Sequence, residues 1–227
     1  MVDKELFDEW PERYDDWFTT PIGKIVKETE GELVAGLLAT ALGETILDAG
    51  CGTAVFTMDY LSAGARVTGL DISAPMLKFA IRKAGGYPFS AVRGDIRQLP
   101  FKDNSFDKAV SVTTLEFVAE GKESVDELFR VVRPGGRGVV ATLNSLSPWA
   151  ARRKAKTLKG QRHILESAYF RSPDELLALS PHEGVARTVI HFAKDETHER
   201  AVVIEQAGQA RKLNTGAFVA ACWKKPS

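Results

Sequence analysis

The sequence predicts an α/β domain built on a doubly wound, seven-stranded, mostly parallel sheet with an antiparallel edge strand. Between residues 43 and 143, five short apolar runs alternate with segments of helical periodicity, a pattern typical of a parallel sheet with helices on both faces. Right-handed crossovers make such a sheet doubly wound. Two further strand-like runs close the chain. They are expected to pair antiparallel at the sheet edge.

The predicted strands are short and apolar, and their limits follow from the turns between them. They cover Thr45–Ala49, Ala65–Leu70, Tyr87–Arg93, Phe106–Val112, Arg137–Leu143, Val185–Phe192 and Ala217–Trp223. The predicted helices carry apolar residues at spacings of three and four. They cover Glu5–Phe18, Gly23–Leu42, Thr53–Leu61, Ala74–Lys83, Glu120–Val132, a segment that begins at Pro173, and one between the last two strands.

Composition and charge exclude several classes of protein. Thirty Lys and Arg balance thirty Asp and Glu, which gives no strong case for a nucleic-acid binder, because such proteins usually carry a basic excess. Cys51 and Cys222 form no CxxC pair, and the four histidines lie scattered, so we expect no metal site. The first ten residues lack an apolar run and Leu33–Leu42 is too short to span a bilayer, which predicts a cytoplasmic protein without a transmembrane segment.

The strongest chemical signal is the stretch Asp48–Thr53 directly after the first predicted strand. Gly50 and Gly52 allow a tight turn and a close approach of the backbone to a ligand. We expect a helix to begin at once at Thr53, so that its free N–H groups face the crevice at the strand ends. A lone GxG after a strand is weak evidence, since buried turns also use glycine.

Two acidic residues follow later strands. Asp71 closes the second strand, where a carboxylate can accept hydrogen bonds from ribose hydroxyls. It could also serve as the N-cap of the helix that begins near Ala74, although its spacing from Gly52 favours the ribose role. After the third strand, Asp95 can face an exocyclic amine while a neighbouring backbone N–H, near Ile96, faces a ring nitrogen, which would recognise adenine.

Five stretches, in this order, resemble a known family: ILDAGCGTA, LDIS, GDIRQLPF, SFDKAVSVTTLEFV and ELFRVVRPGG. Together they resemble the class I S-adenosylmethionine-dependent methyltransferases, in particular the ubiquinone/menaquinone-methyltransferase-like (methyltransferase type 11) group. The resemblance covers roughly Tyr14–Leu143. It implies a Rossmann-like fold, S-adenosylmethionine as cofactor with S-adenosylhomocysteine as product, and methyl transfer to a small-molecule acceptor.

The resemblance implies cofactor contacts around the strand ends. These fall on Tyr14, Trp17, Asp48, Gly50, Cys51, Gly52, Asp71, Ile72, Met76, Asp95, Ile96 and Thr113. Within this set, the glycine loop would hold the methionine part, Asp71 the ribose and Asp95 with Ile96 the adenine. The backbone of Thr113 would meet the methionine amino group.

The resemblance also divides residues 1–227 into four parts of a single domain. Residues 1–42 would form a helical arm or lid, 43–143 the cofactor-binding core, 144–183 an acceptor-side insertion and 184–227 the closing strands. In this group the arm shields the sulfonium, and the faces of Trp17 and Phe18 would attract a cation. Alternatively, these rings merely pack the arm onto the domain.

We expect an apolar acceptor pocket and no general base. Its candidate residues are aromatic: Phe18, Phe117, Trp149 and Tyr169. Phe117 stands where many members have histidine, and Ala54 where many have a third glycine. Glu116, His163 and Tyr169 are interpreted as surface or packing residues. Methyl transfer is an in-line displacement, so alignment of the nucleophile and exclusion of water can suffice.

Some alternatives stay open. One alternative for the basic run is that it holds an acidic or phosphorylated acceptor or contacts a membrane surface or RNA, but such a run is more often a solvated helix face. The run comprises Arg152, Arg153, Lys154, Lys156, Lys159 and Arg162. A nicotinamide-dependent dehydrogenase shares the glycine turn, but Val55 replaces the third glycine of GxGxxG. A non-catalytic cofactor-binding module would have the same cofactor loop, and only turnover distinguishes it from an enzyme. The oligomeric state is left open.

Overall fold

Seven strands form one sheet in a computed structural model that describes residue 8 and residues 11–158 and 168–227. The strands are β1 Thr45–Ala49, β2 Arg66–Asp71, β3 Phe89–Arg93, β4 Phe106–Val112, β5 Val132–Leu143, β6 Gly184–Val189 and β7 Phe218–Lys224. Their order is β3-β2-β1-β4-β5-β7-β6. The strand β7 pairs antiparallel with both β5 and the edge strand β6, whereas the other pairs are parallel. The predicted fold class is confirmed.

The helices cover the two faces of this sheet. They are α1 Pro11–Thr19, α2 Pro21–Leu38, α3 Thr57–Ser62, α4 Ala74–Lys83, α5 Gly121–Val131, α6 Pro148–Leu158, α7 Pro173–Leu177 and α8 His198–Ala210. Buried residues of α2, α3 and α8 share one hydrophobic cluster, and those of α5 and α7 share a second one. In the described part of the chain, no helix combines the length and the apolar character needed to cross a bilayer.

Most predicted limits differ from the structure by a few residues, and two differences have a clear physical cause. The helix after the glycine turn begins at Thr57 rather than at Thr53, because Ala54 adopts a left-handed conformation with φ of 67°. The expectation that a helix begins at once is therefore wrong. The next difference is at Ala39, where a left-handed C-cap ends α2 at Leu38 instead of Leu42.

The strand order places a crevice at the centre of the sheet. From β1 the chain builds outward to β2 and β3 on one side, and then returns to place β4 on the other side of β1. The crossover connections on the two sides therefore diverge, and a crevice opens at the carboxyl ends of β1 and β4. Both strands are almost completely buried, as expected for parallel strands covered on both faces.

The packing of the antiparallel part of the sheet can be tested at Trp223 in β7. Its side chain is 1% exposed, its ring lies 6.2 Å from that of Phe129, and its Nε1 donates to the Leu177 carbonyl at 3.3 Å. We expect Trp223→Ala to lower the free energy of unfolding by about 3–5 kcal/mol, measured by urea denaturation. Val203→Ala on α8, where the side chain is 65% exposed, should change it by less than about 0.5 kcal/mol. Equal losses of unfolding free energy in Trp223→Ala and Val203→Ala would contradict the buried packing of Trp223.

Candidate functional site

A cavity of about 410 Å³ opens at the carboxyl ends of β1, β2 and β4. Every residue predicted to contact a cofactor lies in its wall: Tyr14, Trp17, Asp48, Gly50, Cys51, Gly52, Asp71, Ile72, Met76, Asp95, Ile96 and Thr113. The fold thus gathers residues from the arm and from four strand ends around one space. Their contact with a cofactor stays a prediction.

The two glycines of the turn have different physical roles. Gly50 and Gly52 both have positive φ angles, 81° and 53°, and the Gly50 N–H donates to the Leu70 carbonyl at 2.6 Å. A Cβ on Gly50 would lie 2.1 Å from Thr114 Oγ1, whereas a Cβ on Gly52 would meet nothing within 4 Å. Gly50 therefore allows close packing inside the protein, and Gly52 leaves open space at the cavity wall.

Asp71 holds this turn against the neighbouring strand. Its Oδ2 accepts from the Gly52 N–H at 2.8 Å and its Oδ1 accepts from the Ser73 N–H at 2.9 Å. The N-cap of α4 is Ser73, whose Oγ accepts from the Met76 N–H, so the alternative that Asp71 is that N-cap is wrong. Burial raises the pKa of Asp71, and the backbone donors partly offset this effect. Each oxygen keeps capacity to accept from a ligand hydroxyl.

The remaining polar residues of the cofactor side are already bonded within the protein. Thr57 Oγ1 donates to Asp48 Oδ2 at 2.6 Å, and burial raises the pKa of Asp48 to about 7. Asp95 is paired with the Arg97 guanidinium, whose Nη2 lies 2.6 Å from Oδ2. This hydrogen bond lowers the pKa of Asp95, so the carboxylate stays ionised while lining the cavity.

The arm is attached to the glycine loop and to the end of α4 by polar contacts. Thr53 Oγ1 donates to Asp15 Oδ1 at 2.5 Å, and Lys83 Nζ lies 2.6 Å from Asp15 Oδ2. The rings of Trp17 and Phe18 pack edge-on with centroids 4.8 Å apart, and both line the cavity. The two alternatives for these rings are therefore compatible, since they pack the arm and also face the open space.

Thr113 has a strained backbone at the end of β4. Its φ is 48°, which is unusual for a β-branched residue. Its N–H donates to the Ala141 carbonyl at 2.9 Å, and its Oγ1 lies 3.4 Å from the Tyr14 hydroxyl. Strained conformations concentrate at functional sites, and this one lies beside the predicted methionine position.

Three of the predicted acceptor residues line the cavity and one does not. Phe18, Phe117 and Trp149 lie in its wall. Tyr169 lies outside this wall with its side chain 49% exposed, because its N–H is held by the Glu116 carbonyl at 2.7 Å in the segment after the insertion helix. The placement of Tyr169 in the acceptor pocket is corrected accordingly.

Two buried acids lie in the cavity wall, of which the sequence analysis did not name Glu30 and assigned Glu116 no role in the site. Glu116 is fully buried, so of the two alternatives given for it, a surface or a packing residue, the surface position is wrong. Its Oε2 accepts from Thr142 Oγ1 at 3.0 Å, while Oε1 has no hydrogen-bond partner among the described residues. Burial raises the pKa of Glu116 to about 7. Glu30 is 6% exposed, and burial, together with Glu116, raises its pKa.

Both acids left a weak signal in the sequence. Glu30 lies four residues from Val26 and from Val34 on the same face of α2, and both valines are buried. Glu116 stands between apolar residues just after β4. An isolated acid on an apolar face is a candidate for a buried functional group.

The basic run does not form one surface in the described residues. Arg152 is exposed and pairs with Asp195 at 3.1 Å, and Lys154 is exposed. Arg153 instead lines the cavity and lies 5.6 Å from the centroid of the Phe170 ring. Three members, the side chain of Lys156 and residues 159 and 162, lie outside the described residues, as does His163. Within the described part, no three potential metal ligands group together.

The two glycines give a matched pair of tests. We expect Gly50→Ala to lower the free energy of unfolding by about 2 kcal/mol or more, because the new methyl group overlaps Thr114 and the left-handed backbone is strained. Gly52→Ala should cost only about 1 kcal/mol of strain, yet it should weaken ligand binding in the cavity. Urea denaturation and calorimetric titration measure the two effects. Ligand binding by Gly52→Ala as tight as by the wild type would contradict the view that Gly52 leaves space for the ligand.

The raised pKa of Glu116 predicts a pH-dependent stability. A glutamate in water has a pKa of 4.5, and burial in the folded protein raises the pKa of this one to about 7. The protonated form therefore stabilises the fold fully below pH 4.5, and this stability is lost as the pH rises through 7. Relative to Glu116→Gln, the wild type should lose about 2 kcal/mol between about pH 5 and pH 8. Urea denaturation at several pH values measures this difference. Glu123→Gln, on the exposed side of α5, should show no such trend.

Comparison with known proteins places the core of the chain in a family. Residues 47–140 match the family described as a methyltransferase domain. A malonyl-[acyl-carrier protein] O-methyltransferase from Serratia marcescens is 33% identical over 134 residues, covering 59% of this chain and 52% of that protein. A demethylmenaquinone methyltransferase from Renibacterium salmoninarum is 39% identical over 109 residues, covering 48% of this chain and 45% of that protein. The chain thus spans about half the length of these curated relatives.

A solved structure shares the fold over nearly the whole chain. It is an S-adenosylmethionine-dependent methyltransferase, possible histamine N-methyltransferase, from Thermotoga maritima, with a TM-score of 0.77 and 23% identity, covering 97% of this chain and 99% of that one. The match of residues 47–140 is therefore to a methyltransferase domain, and the likeness to the solved structure shows that the chain shares its fold.

Proposed function

We propose that this chain binds S-adenosylmethionine in the central cavity and transfers its methyl group to a small-molecule acceptor. The observation that carries the proposal is that one cavity of about 410 Å³ joins the glycine turn and the strand-end acids to the aromatic residues of the arm and of α6. Its size suits a cofactor and a small partner ligand. Both reactants can therefore meet inside a single space.

The residues present fit the cofactor. Asp71 has free acceptor capacity for ribose hydroxyls, Asp95 and Ile96 lie where adenine is expected, and Gly52 leaves open space for the methionine part. When bound, the cofactor supplies a methyl group activated by a positively charged sulfur. Trp17 offers an aromatic ring near that charge. The chain then aligns the acceptor and excludes water.

The parts outside the core would select the acceptor. The arm, residues 1–42, contributes Trp17 and Phe18 to the cavity wall, and the insertion, residues 144–183, contributes Trp149 and Arg153. Both parts lie outside the matched residues 47–140. The malonyl-[acyl-carrier protein] and demethylmenaquinone that the relatives' names state are therefore the acceptors of those proteins and do not fix the acceptor of this chain. Both cysteines are free, which supports a reducing compartment such as the cytoplasm.

Calorimetric titration of the purified chain with S-adenosylmethionine, S-adenosylhomocysteine and NAD tests the proposal. We expect both adenosyl ligands to bind and NAD not to bind. Asp71→Asn should weaken adenosyl binding by about tenfold or more, because it removes a charged acceptor from the ribose hydroxyls. Asp126→Asn is the control, since Asp126 is exposed on α5 and pairs with Lys122 at 2.6 Å, away from the cavity wall.

The possible results separate the competing functions. A preference for NAD would indicate the dehydrogenase alternative, and absence of adenosyl binding would overturn the proposal. Binding without release of S-adenosylhomocysteine, across a broad screen of acceptors, would favour the non-catalytic module. Binding with such release establishes the enzyme.

A further inference from the structure

The acceptor side of the cavity contains a cluster of charged groups that the cofactor does not use. Glu30 comes from α2, Glu116 from the short turn after β4, and Arg153 from α6. All three lie in the cavity wall with Tyr14. We propose that the methyl acceptor is an organic amine whose nitrogen is bound by the carboxyl groups of Glu30 and Glu116, an inference that rests on the methyl-transfer function proposed above.

The hydrogen bonding of Glu116 supports a ligand that donates a hydrogen bond to its carboxyl group. Its Oε2 is bonded to Thr142 Oγ1 at 3.0 Å, but Oε1 is buried and has no partner in the described part of the chain. A buried carboxylate oxygen without a donor is costly, and native proteins rarely tolerate one. Because Glu116 lies in the wall of the cavity, the N–H group of a bound amine can supply the missing donor.

The charge balance of the cluster supports a cation. Glu30 and Glu116 lie close enough that the negative charge of Glu116 disfavours ionisation of Glu30, and Arg153 is the cation that partly offsets both. Arg171 also faces Glu116, but its guanidinium donates to the carbonyls of Leu115 and Val118. A protonated amine would give the second carboxylate its counter-charge.

An anionic acceptor fits the cluster less well. Arg153 lines the cavity, but it already faces the two carboxylates. Lys194 also lines the cavity, with its Nζ 6.0 Å from the centroid of the Trp17 ring. A carboxylate ligand would bring a third negative charge to a buried pair of acids, which is unfavourable at low dielectric.

The reaction balances with the groups present. A bound ammonium gives one proton to the Glu116 carboxylate and becomes a neutral amine. The nitrogen lone pair then forms the bond to the methyl carbon while the electron pair of the carbon–sulfur bond stays on sulfur. The product is an N-methylammonium cation whose N–H group donates to the carboxyl group of Glu30, and the proton on Glu116 returns to solvent after release.

The test uses the full chain loaded with S-adenosylhomocysteine. Calorimetry measures the binding of benzylamine, phenethylamine and tryptamine against alcohols and carboxylates of matched shape: benzyl alcohol, phenylethanol, tryptophol and phenylacetate. At least one amine should bind about tenfold more tightly than its matched alcohol. Glu116→Gln keeps an acceptor for Thr142 and should lower that affinity about tenfold or more, as should Glu30→Gln. Glu123→Gln is the control and should leave it unchanged.

The outcomes either support or overturn the inference. Selective amine binding that depends on Glu116 and Glu30, with affinity for S-adenosylhomocysteine unchanged in both variants, supports it. Formation of the N-methyl product, detected by mass spectrometry with S-adenosylmethionine, supports it further. No amine binding, a preference for phenylacetate, or full amine affinity in Glu116→Gln overturns it. If S-adenosylhomocysteine still binds, only this inference fails; if the wild type binds no adenosyl ligand, the proposed function fails too.

Discussion

The site depends on the hydrogen bonds that join the end of β1 to the end of β2. The N–H groups of Gly50 and Cys51 both donate to the Leu70 carbonyl, and the Gly52 N–H donates to Asp71. These bonds hold the turn open on the cavity side and bring a carboxylate to its edge. Because α3 begins only at Thr57, the loop before it stays available to anchor the arm through Asp15. The cavity edge, the glycine turn and the attachment of the arm thus all depend on the conformation of the backbone between β1 and α3.

Buried acids are the second common element of the cavity. Asp48, Asp71 and Glu116 all lie in its wall, and burial raises the pKa of each. Carboxyl groups in a region of low dielectric favour positively charged partners. A sulfonium on one side and an amine on the other would both find complementary charge there. The stability lost by burying these acids is the expected cost of a preorganised site.

The sequence predicted the residues on the strand-end side of the cavity better than those on the side formed by α2 and α6. Gly50, Asp71 and Asp95 each lie at or just after the end of a strand, so local spacing and the parallel topology place them together. The other side brings together Glu30, Glu116 and Arg153 from three distant segments, and their proximity depends on how α2 and α6 pack. Each acid leaves only a weak local signal in the sequence, and the contacts between the three segments leave none. Ala54 gives a local example of a feature that the sequence does not reveal. Its left-handed backbone delays the start of α3 to Thr57, whereas periodicity predicted a start at Thr53.

The two glycines of the turn constrain divergence of the sequence in different ways. A side chain at position 50 would collide with the Thr114 side chain whether or not a ligand is present, so a descendant that keeps Thr114 is constrained to keep glycine there. A side chain at position 52 would enter open space and cost mainly backbone strain. A lineage that abandoned its ligand would therefore be free to replace residue 52 while retaining residue 50. In such descendants, loss of ligand binding would be visible in the sequence as a substitution at position 52 alone.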